Sequence, residues 1–229
     1  MLSEQAADSN AAIEPAAERK ANSVVKVVDH PLVAVKLSIL RAQTTRKEEF
    51  RRNLQQLAIL LLAEAARGWS LSEIQVETPL RSCPGAALEK PVVFVPILRA
   101  GLGMVDGMSR IIPEAAVGHL GLYRDEKTLR PISYYRRLPE NIAEAEVVLL
   151  DPMLATGHSA SEAASILKAG GAVRIHFICI LACPEGVAQL QKAHPDIPIT
   201  TAAIDPELNS NGYIVPGLGD AGDRYFGTG

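Results

Sequence analysis

Asp151, Thr156, Gly157 and Ser159 share one short stretch, VVLLDPMLATGHSA over residues 147 to 160, in which an apolar run stops on an acid and opens into small and hydroxyl residues. In an open parallel sheet, ligands bind beyond the carboxyl ends of the strands, where the loops into the helices gather. Ala155, Thr156, Gly157, His158 and Ser159 lead into the helical pattern SASEAASILKAGG, so their backbone N–H groups should point out of a helix N-terminus and suit an anion. The hydroxyls add hydrogen bonds, and Gly157 admits close approach because it has no Cβ. Asp151 repels that same anion but suits the vicinal hydroxyls of a ribose. Phosphate and sugar together imply a ribose 5-phosphate. Taken alone, the same residues also suit a capped turn followed by a capped helix, with no ligand at all.

Two further stretches bear on that choice. PVVFVPILRAGLGMVDG, residues 91 to 107, is a second apolar run entering a glycine-bearing turn, with Arg99 at its end. In LGLYRDEKTLRPISYYRRLP, Arg124 and Lys127 stand beside Asp125 and Glu126; alone, this cluster reads as solvated surface. An Arg, an Asp and several backbone donors on two strand ends suit a ligand with separated phosphates.

The elements that must position these groups alternate. Strands are expected at VVKVV, IQVETPL, PVVFVPIL, AAVGHLGLY, PISYYRRL, EVVLL, VRIHFICIL and IPITTAAI, from their β-branched content and length. Helices are expected over PLVAVKLSILRAQ, whose Pro suits a first turn, over Gly101 to Ile112, Ser159 to Ala169 and Glu185 to Ala193. Thr45 and Glu48 form a capping-box pattern ahead of Phe50, Leu54, Leu57 and Leu61, a long amphipathic helix that ends by Gly68. Strands alternating with helices predict an α/β fold, a mostly parallel sheet covered on both faces. Tyr123 to Pro139 reads as a hairpin projecting from that sheet. The last segment, DPELNSNGYIVPGLGDAGDRYFGTG, is too rich in Gly and Pro for regular structure. Residues 1–22 read as a flexible tail and 23–229 as a single domain.

Composition narrows the classes. The 229 residues are 48% hydrophobic, 21% charged and 4% aromatic, with a net charge of -3, which is a globular chain with no basic footprint for nucleic acid. The longest apolar run, Leu57 to Ala63, falls far short of the ~20 residues that span a bilayer, and the first residues carry no secretory pattern. Cys83, Cys179 and Cys183 form no pairing framework. A cytoplasmic protein with no membrane or nucleic-acid partner is expected.

The loop DPMLATGHS resembles the phosphoribosyl pyrophosphate (PRPP) motif of the type I phosphoribosyltransferases, in the form seen in the uracil phosphoribosyltransferase family. PILRAGLGMVDG, YRDE and NGYIVPGLGDAGDRYFGT carry the resemblance, in the family's order, over about residues 22 to 229. It implies the type I fold, a mostly parallel twisted sheet flanked by helices, with a projecting β-hairpin and a C-terminal hood that binds the base. It implies transfer of a phosphoribosyl group from PRPP to N1 of uracil, giving UMP and diphosphate, with Mg2+ carried on PRPP. A homo-oligomer, dimer or tetramer, and a response to GTP are also implied. By residue, the resemblance places Arg99 and Arg124 at the pyrophosphate. It puts PRPP on Asp151, Pro152, Met153, Leu154, Ala155, Thr156, Gly157, His158 and Ser159. Uracil falls to Ile214, Gly219, Asp220 and Ala221, with Asp220 also touching PRPP. The catalytic candidates are Asp220, Asp151 and Arg124, and no side-chain metal cage is implied.

Two departures stand out. Other type I enzymes usually carry adjacent acids where this chain has Asp151 and Pro152, so one carboxylate must serve the ribose. His158 stands where Gly is frequent, and its ring is expected to point outward as a spectator. Cleavage at the anomeric carbon builds positive charge on the sugar, which makes stabilising the departing pyrophosphate the main task. Backbone groups of YIVPGLGDAG can read the base, with Tyr213, Val215 and Phe226 as apolar anchors. Two rivals remain at this level: an RNA-binding regulator on the same fold, and an enzyme for a purine or orotate, whose carboxylate would call for a cation near Gly219 to Ala221, where only Arg224 is close by.

Overall fold

The computed structural model of the chain describes residues 25–124 and 131–228. The expected tail, residues 1–22, and the cluster of Asp125, Glu126 and Lys127 lie outside the described residues. In chain order the elements are β1 (Val25–Val27), α1 (Pro31–Arg41), α2 (Lys47–Ala65), a 3-10 turn (Ala66–Gly68), β2 (Leu71–Glu77), β3 (Ser82–Leu88), β4 (Val92–Leu98), α3 (Leu102–Met108), β5 (Ala116–Val117), β6 (His119–Arg124), β7 (Pro131–Arg137), β8 (Glu146–Leu150), β9 (Met153–Leu154), α4 (His158–Ala169), β10 (Arg174–Ala182), α5 (Pro184–Ala193), β11 (Ile199–Ile204), β12 (Glu207–Leu208), β13 (Ile214–Val215) and α6 (Ala221–Phe226).

The main sheet runs β1-β11-β10-β8-β4-β6-β7, with β5 beside β4 and β9 beside β10. Every pairing in it is parallel except β6 with β7. Strand alternation divides the apolar residues into two clusters, one on each face. Val92, Phe94, Val148, Leu150, Ile178 and Ile180 pack with α1, α2 and α3. Val93, Val95, Val147, Leu149, Phe177 and Cys179 pack with α4 and α5. Both faces of the central strands are therefore dry, which is why these strands read as continuous apolar runs rather than alternating ones.

Several expectations are corrected. Thr45 does not cap α2: the N-cap is Arg46, with no side-chain cap bond, and the Thr45 hydroxyl donates instead to the Ile39 carbonyl at 2.6 Å. AAVGHLGLY divides into β5 and β6 around Gly118. The hairpin of β6 and β7 forms the edge of the main sheet, while the separate ribbon is β2 with β3, a two-stranded antiparallel sheet. The final segment is not irregular throughout, since it holds the pair β12 and β13 and the short helix α6.

Candidate active site

β8 delivers Asp151 to the carboxyl edge of the sheet, flanked there by β4 on one side and β10 on the other. The chain then stays beside β10: Ile180 and Leu181 N–H groups both donate to the Pro152 carbonyl, at 2.9 and 3.0 Å, and β9 pairs with Leu181 and Ala182. This fixes the start of the loop. Its end is fixed by α4, whose N-cap is Gly157 at φ 77°. A side chain there would be strained in the left-handed region, and a Cβ would also lie 2.6 Å from the Gly186 carbonyl oxygen. Gly157 offers the first turn of α4 no capping group, so the helix N-terminus presents backbone donors where the sequence places an anion. His158 is exposed on the first turn, as expected, while Ser161 turns its hydroxyl back to the Gly157 carbonyl at 2.8 Å.

Asp151 is half-buried among these elements. Burial raises its carboxyl, a Met153 N–H counters weakly from 3.5 Å, and the charge of Asp220 raises it further, to about 7. The two acids therefore feel one another although 69 positions separate them in sequence.

Asp220 caps α6: its Oδ1 accepts from the Asp223 N–H at 2.8 Å. Gly227, at φ 76°, ends the same helix. Between this segment and the loop after β8 lies a cavity of about 190 Å³. Ile214, Gly219, Asp220 and Ala221 line one side of it, with Gly212, Tyr213 and Gly222, and Ala100, Met153 and Ala155 line the other. All four positions expected to hold the base thus meet two of the positions expected to hold PRPP. The other expected PRPP positions of this stretch, Asp151, Pro152, Leu154, Thr156, Gly157, His158 and Ser159, lie at the strand end, in the same loop or at the start of α4 but do not line this cavity, and nor does Arg99.

Arg99 follows β4 directly and is exposed. Its guanidinium donates to Asp223 Oδ1 at 3.3 Å and lies 5.8 Å from the centre of the Phe226 ring. Arg124 closes β6, and its side chain lies outside what the structure describes. Gly101, on the turn after Arg99, has room for no side chain, since a Cβ would sit 2.5 Å from the Leu150 carbonyl oxygen. Close packing of the two strand ends is thereby possible.

Sequence reasoning missed what holds the C-terminal segment in place. Arg41, at the end of α1, donates to both oxygens of Asp205, at 2.7 and 2.6 Å, and to the Gly217 carbonyl at 2.8 Å, while the Gly217 N–H donates to Asp205 Oδ2 at 2.9 Å. Burial works to raise the Asp205 carboxyl, but the Arg41 and Gly217 hydrogen bonds and the Arg41 charge leave it lowered. Arg224 donates to the carbonyls of Leu40, Leu218 and Ala42 and stacks 4.4 Å from the centre of the Phe50 ring. It is a structural clamp, not a cation aimed at the base. Neither clamp had a local signal, because each joins residues more than 160 positions apart.

The mostly parallel sheet with the loop after β8 at its carboxyl edge has the fold of the phosphoribosyltransferases. Similarity to adenine phosphoribosyl transferase from Trypanosoma brucei shows this at the level of fold alone, with TM-score 0.55, 13% identity, and coverage of 82% of this chain and 87% of that one. The AQ2163 protein from Aquifex aeolicus superposes with TM-score 0.83 at 37% identity, covering 88% of this chain and 97% of its own. The family model described as uracil phosphoribosyltransferase matches residues 27–228, and the chain belongs to that family. Proteins named uracil phosphoribosyltransferase from Dictyoglomus turgidum and Acidovorax sp. (strain JS42) are 55% and 53% identical to it. These matches cover 90% of this chain and 100% and 99% of theirs.

Proposed function

We propose that the chain catalyses uracil phosphoribosyltransfer: uracil and PRPP give UMP and diphosphate. The observation that carries this reading is the cavity in which Ile214, Gly219, Asp220 and Ala221 face Met153 and Ala155, because it joins a base pocket to a phosphate loop. Its modest size, about 190 Å³, suits a small planar base rather than a drug-sized ligand. The engagement of Arg224 with three carbonyls removes the cation that a carboxylated base such as orotate would need.

In this reading the N-terminus of α4, with Thr156 to Ser159, holds the 5-phosphate, and Asp151 accepts hydrogen bonds from the ribose hydroxyls. Arg99 and Arg124 face the pyrophosphate, where their charge stabilises the leaving group more as its bond breaks. Asp220 orders base and PRPP together, while backbone groups from Gly212 to Gly222 read the uracil edge. Cytosine would leave a buried group unpaired, a penalty of about 1–3 kcal/mol. The site supplies carboxylates at Asp151 and Asp220 rather than a ring of ligands, which fits a magnesium ion that takes most of its oxygens from the substrate phosphates and water. Such an ion would neutralise charge on the pyrophosphate.

The unpaired thiols of Cys83, Cys179 and Cys183 fit a cytoplasmic location, and among the described residues no helix is long and apolar enough to cross a membrane. The resemblance adds a homo-oligomer and a GTP response, which solution mass and a GTP titration test. The primary test is UMP formation from uracil and PRPP with magnesium, run beside cytosine, orotate and hypoxanthine. UMP as the sole product supports the reading. PRPP binding with no turnover of any base would refute it and favour a regulator built on the same fold.

A further inference from the structure

The first turn of α5 contributes no group to the cavity, yet it is the surface on which the phosphate loop rests. The Cys183 N–H donates to the Leu154 carbonyl at 3.1 Å, and the Cys183 thiol donates to the Ala155 carbonyl at 2.8 Å. Three residues on, Gly186 meets the same two carbonyls. A Cβ placed on it would lie 2.4 Å from the Leu154 oxygen and 2.5 Å from the Ala155 oxygen. The contact is reciprocal, since a Cβ on Gly157 would collide with the Gly186 carbonyl oxygen. Consecutive carbonyls of the loop thus point down onto α5, which turns the N–H groups that follow them toward the ligand side.

We propose that Cys183 and Gly186 are positioning residues for PRPP: they set the height and tilt of the loop from Leu154 to Gly157 and so determine affinity for the phosphoribosyl substrate without touching it. The proposal rests on the reading of this loop as the phosphate site. Cys183 is fully buried and its thiol is raised by burial, so it remains a protonated donor across the working range. Serine keeps a donor at that position and alanine does not. At Gly186, alanine is the better helix former, so if Gly186 mattered only to α5 the substitution would be harmless. If the helix is instead a platform, the added methyl pushes the loop upward, and interiors this closely packed do not absorb such a shift freely.

The test compares Gly186→Ala, Cys183→Ala and Cys183→Ser with the wild-type protein, and with Thr156→Ala and Lys192→Ala as controls on the loop and on the exposed side of α5. The readouts are the dissociation constant for PRPP, the KM for PRPP, and Tm with and without PRPP. Gly186→Ala is expected to weaken PRPP binding by about tenfold, the loss expected when one or two backbone donors of the loop are misaligned with the ligand. Cys183→Ala should weaken it by about fivefold, the value of one neutral hydrogen bond. Cys183→Ser should restore binding to within about twofold, and Lys192→Ala should bind as wild type. Weakened PRPP affinity measured well below each variant's own ligand-free Tm, together with loss of the upward shift that PRPP gives, would support a positioning role even where the ligand-free Tm is itself lowered. Wild-type PRPP affinity in Gly186→Ala and Cys183→Ala, or serine behaving as alanine, would overturn the platform while leaving the site intact. If Thr156→Ala also binds PRPP as tightly as wild type, the phosphate-loop reading itself fails, and the platform with it.

Discussion

At Asp151, burial and the nearby charge of Asp220 hold the carboxyl up to about 7 despite the Met153 N–H, so ionisation at neutral pH works against the folded state. The folded value lies above the unfolded one. The stability this group contributes is therefore fully present below the ordinary carboxylate range, about 4, and is lost as pH rises through about 7. Asp151→Asn should raise Tm at pH 8, the shift shrinking as the pH is lowered toward 5, and should also lower turnover at least tenfold. An unchanged rate would remove the ribose role. In the wild-type protein kcat/KM for PRPP should fall as pH drops below about 7, and that inflection should vanish in Asp151→Asn, which separates it from titration of PRPP itself. Asp220 has two duties, capping α6 and facing the cavity. Asp220→Asn keeps a good cap, so its Tm should match wild type while its turnover falls; Asp220→Ala should in addition lose about 1 kcal/mol from the cap. Equal turnover in Asp220→Asn and wild type would leave capping as the residue's whole role.

Among elements, the C-terminal segment depends on α1 more than on its own regular structure. Arg41, bonded to Asp205 and Gly217, pins the turn just before Gly219 and Asp220 to the end of α1. Arg41→Met should leave the Asp205 charge without its partner and cost about 3–5 kcal/mol, read as a lower midpoint in urea, with a raised KM for uracil among the molecules that remain folded. Loss of stability with an unchanged KM for uracil would separate the clamp from the pocket. The main strands were legible because burial on both faces makes them unbroken β-branched runs, as in EVVLL and VRIHFICIL. β3 was not, since SCPGAAL lacks those residues. In a two-stranded ribbon Pro84 is tolerated, and Gly85 leaves the space that Cγ2 of Val76 occupies, 2.5 Å from where a Cβ would sit. α6 was hidden by its length of six residues, although Asp220 before it and Gly227 after it are ordinary start and stop signals. The geometry of the loop after β8 was legible from its own residues, since the left-handed Gly157 and the helix start that follows it are local features, whereas the contacts of Cys183 and Gly186 beneath it and the bonds of Arg41 and Arg224 exist only once distant segments meet.

At the scale of the molecule, the ribbon of β2 and β3 stands apart from the main sheet and exposes Leu71, Ile74, Val76, Leu80 and Leu88. An isolated two-stranded ribbon is marginal in water, and an apolar one is a poor surface to leave uncovered. With the homo-oligomer expected from the resemblance, sedimentation should give a mass at least double 24.5 kDa, and Ile74→Lys with Val76→Lys should lower it. A monomer in the wild-type protein would leave the ribbon without a second copy to cover it.

The pairing of β1 with β11 places Val25 beside Ile199. A chain emerging from the ribosome must therefore hold β1 unpaired until β11, about 170 residues further on, has been made, and such long loop closures slow folding. Asp220 follows Ile199 by only 21 positions, so the sheet's edge and the mouth of its pocket become available at almost the same moment of synthesis. Nascent chains halted before Ile199 should be digested readily by protease, and resistance and substrate binding should be gained together within the last thirty residues.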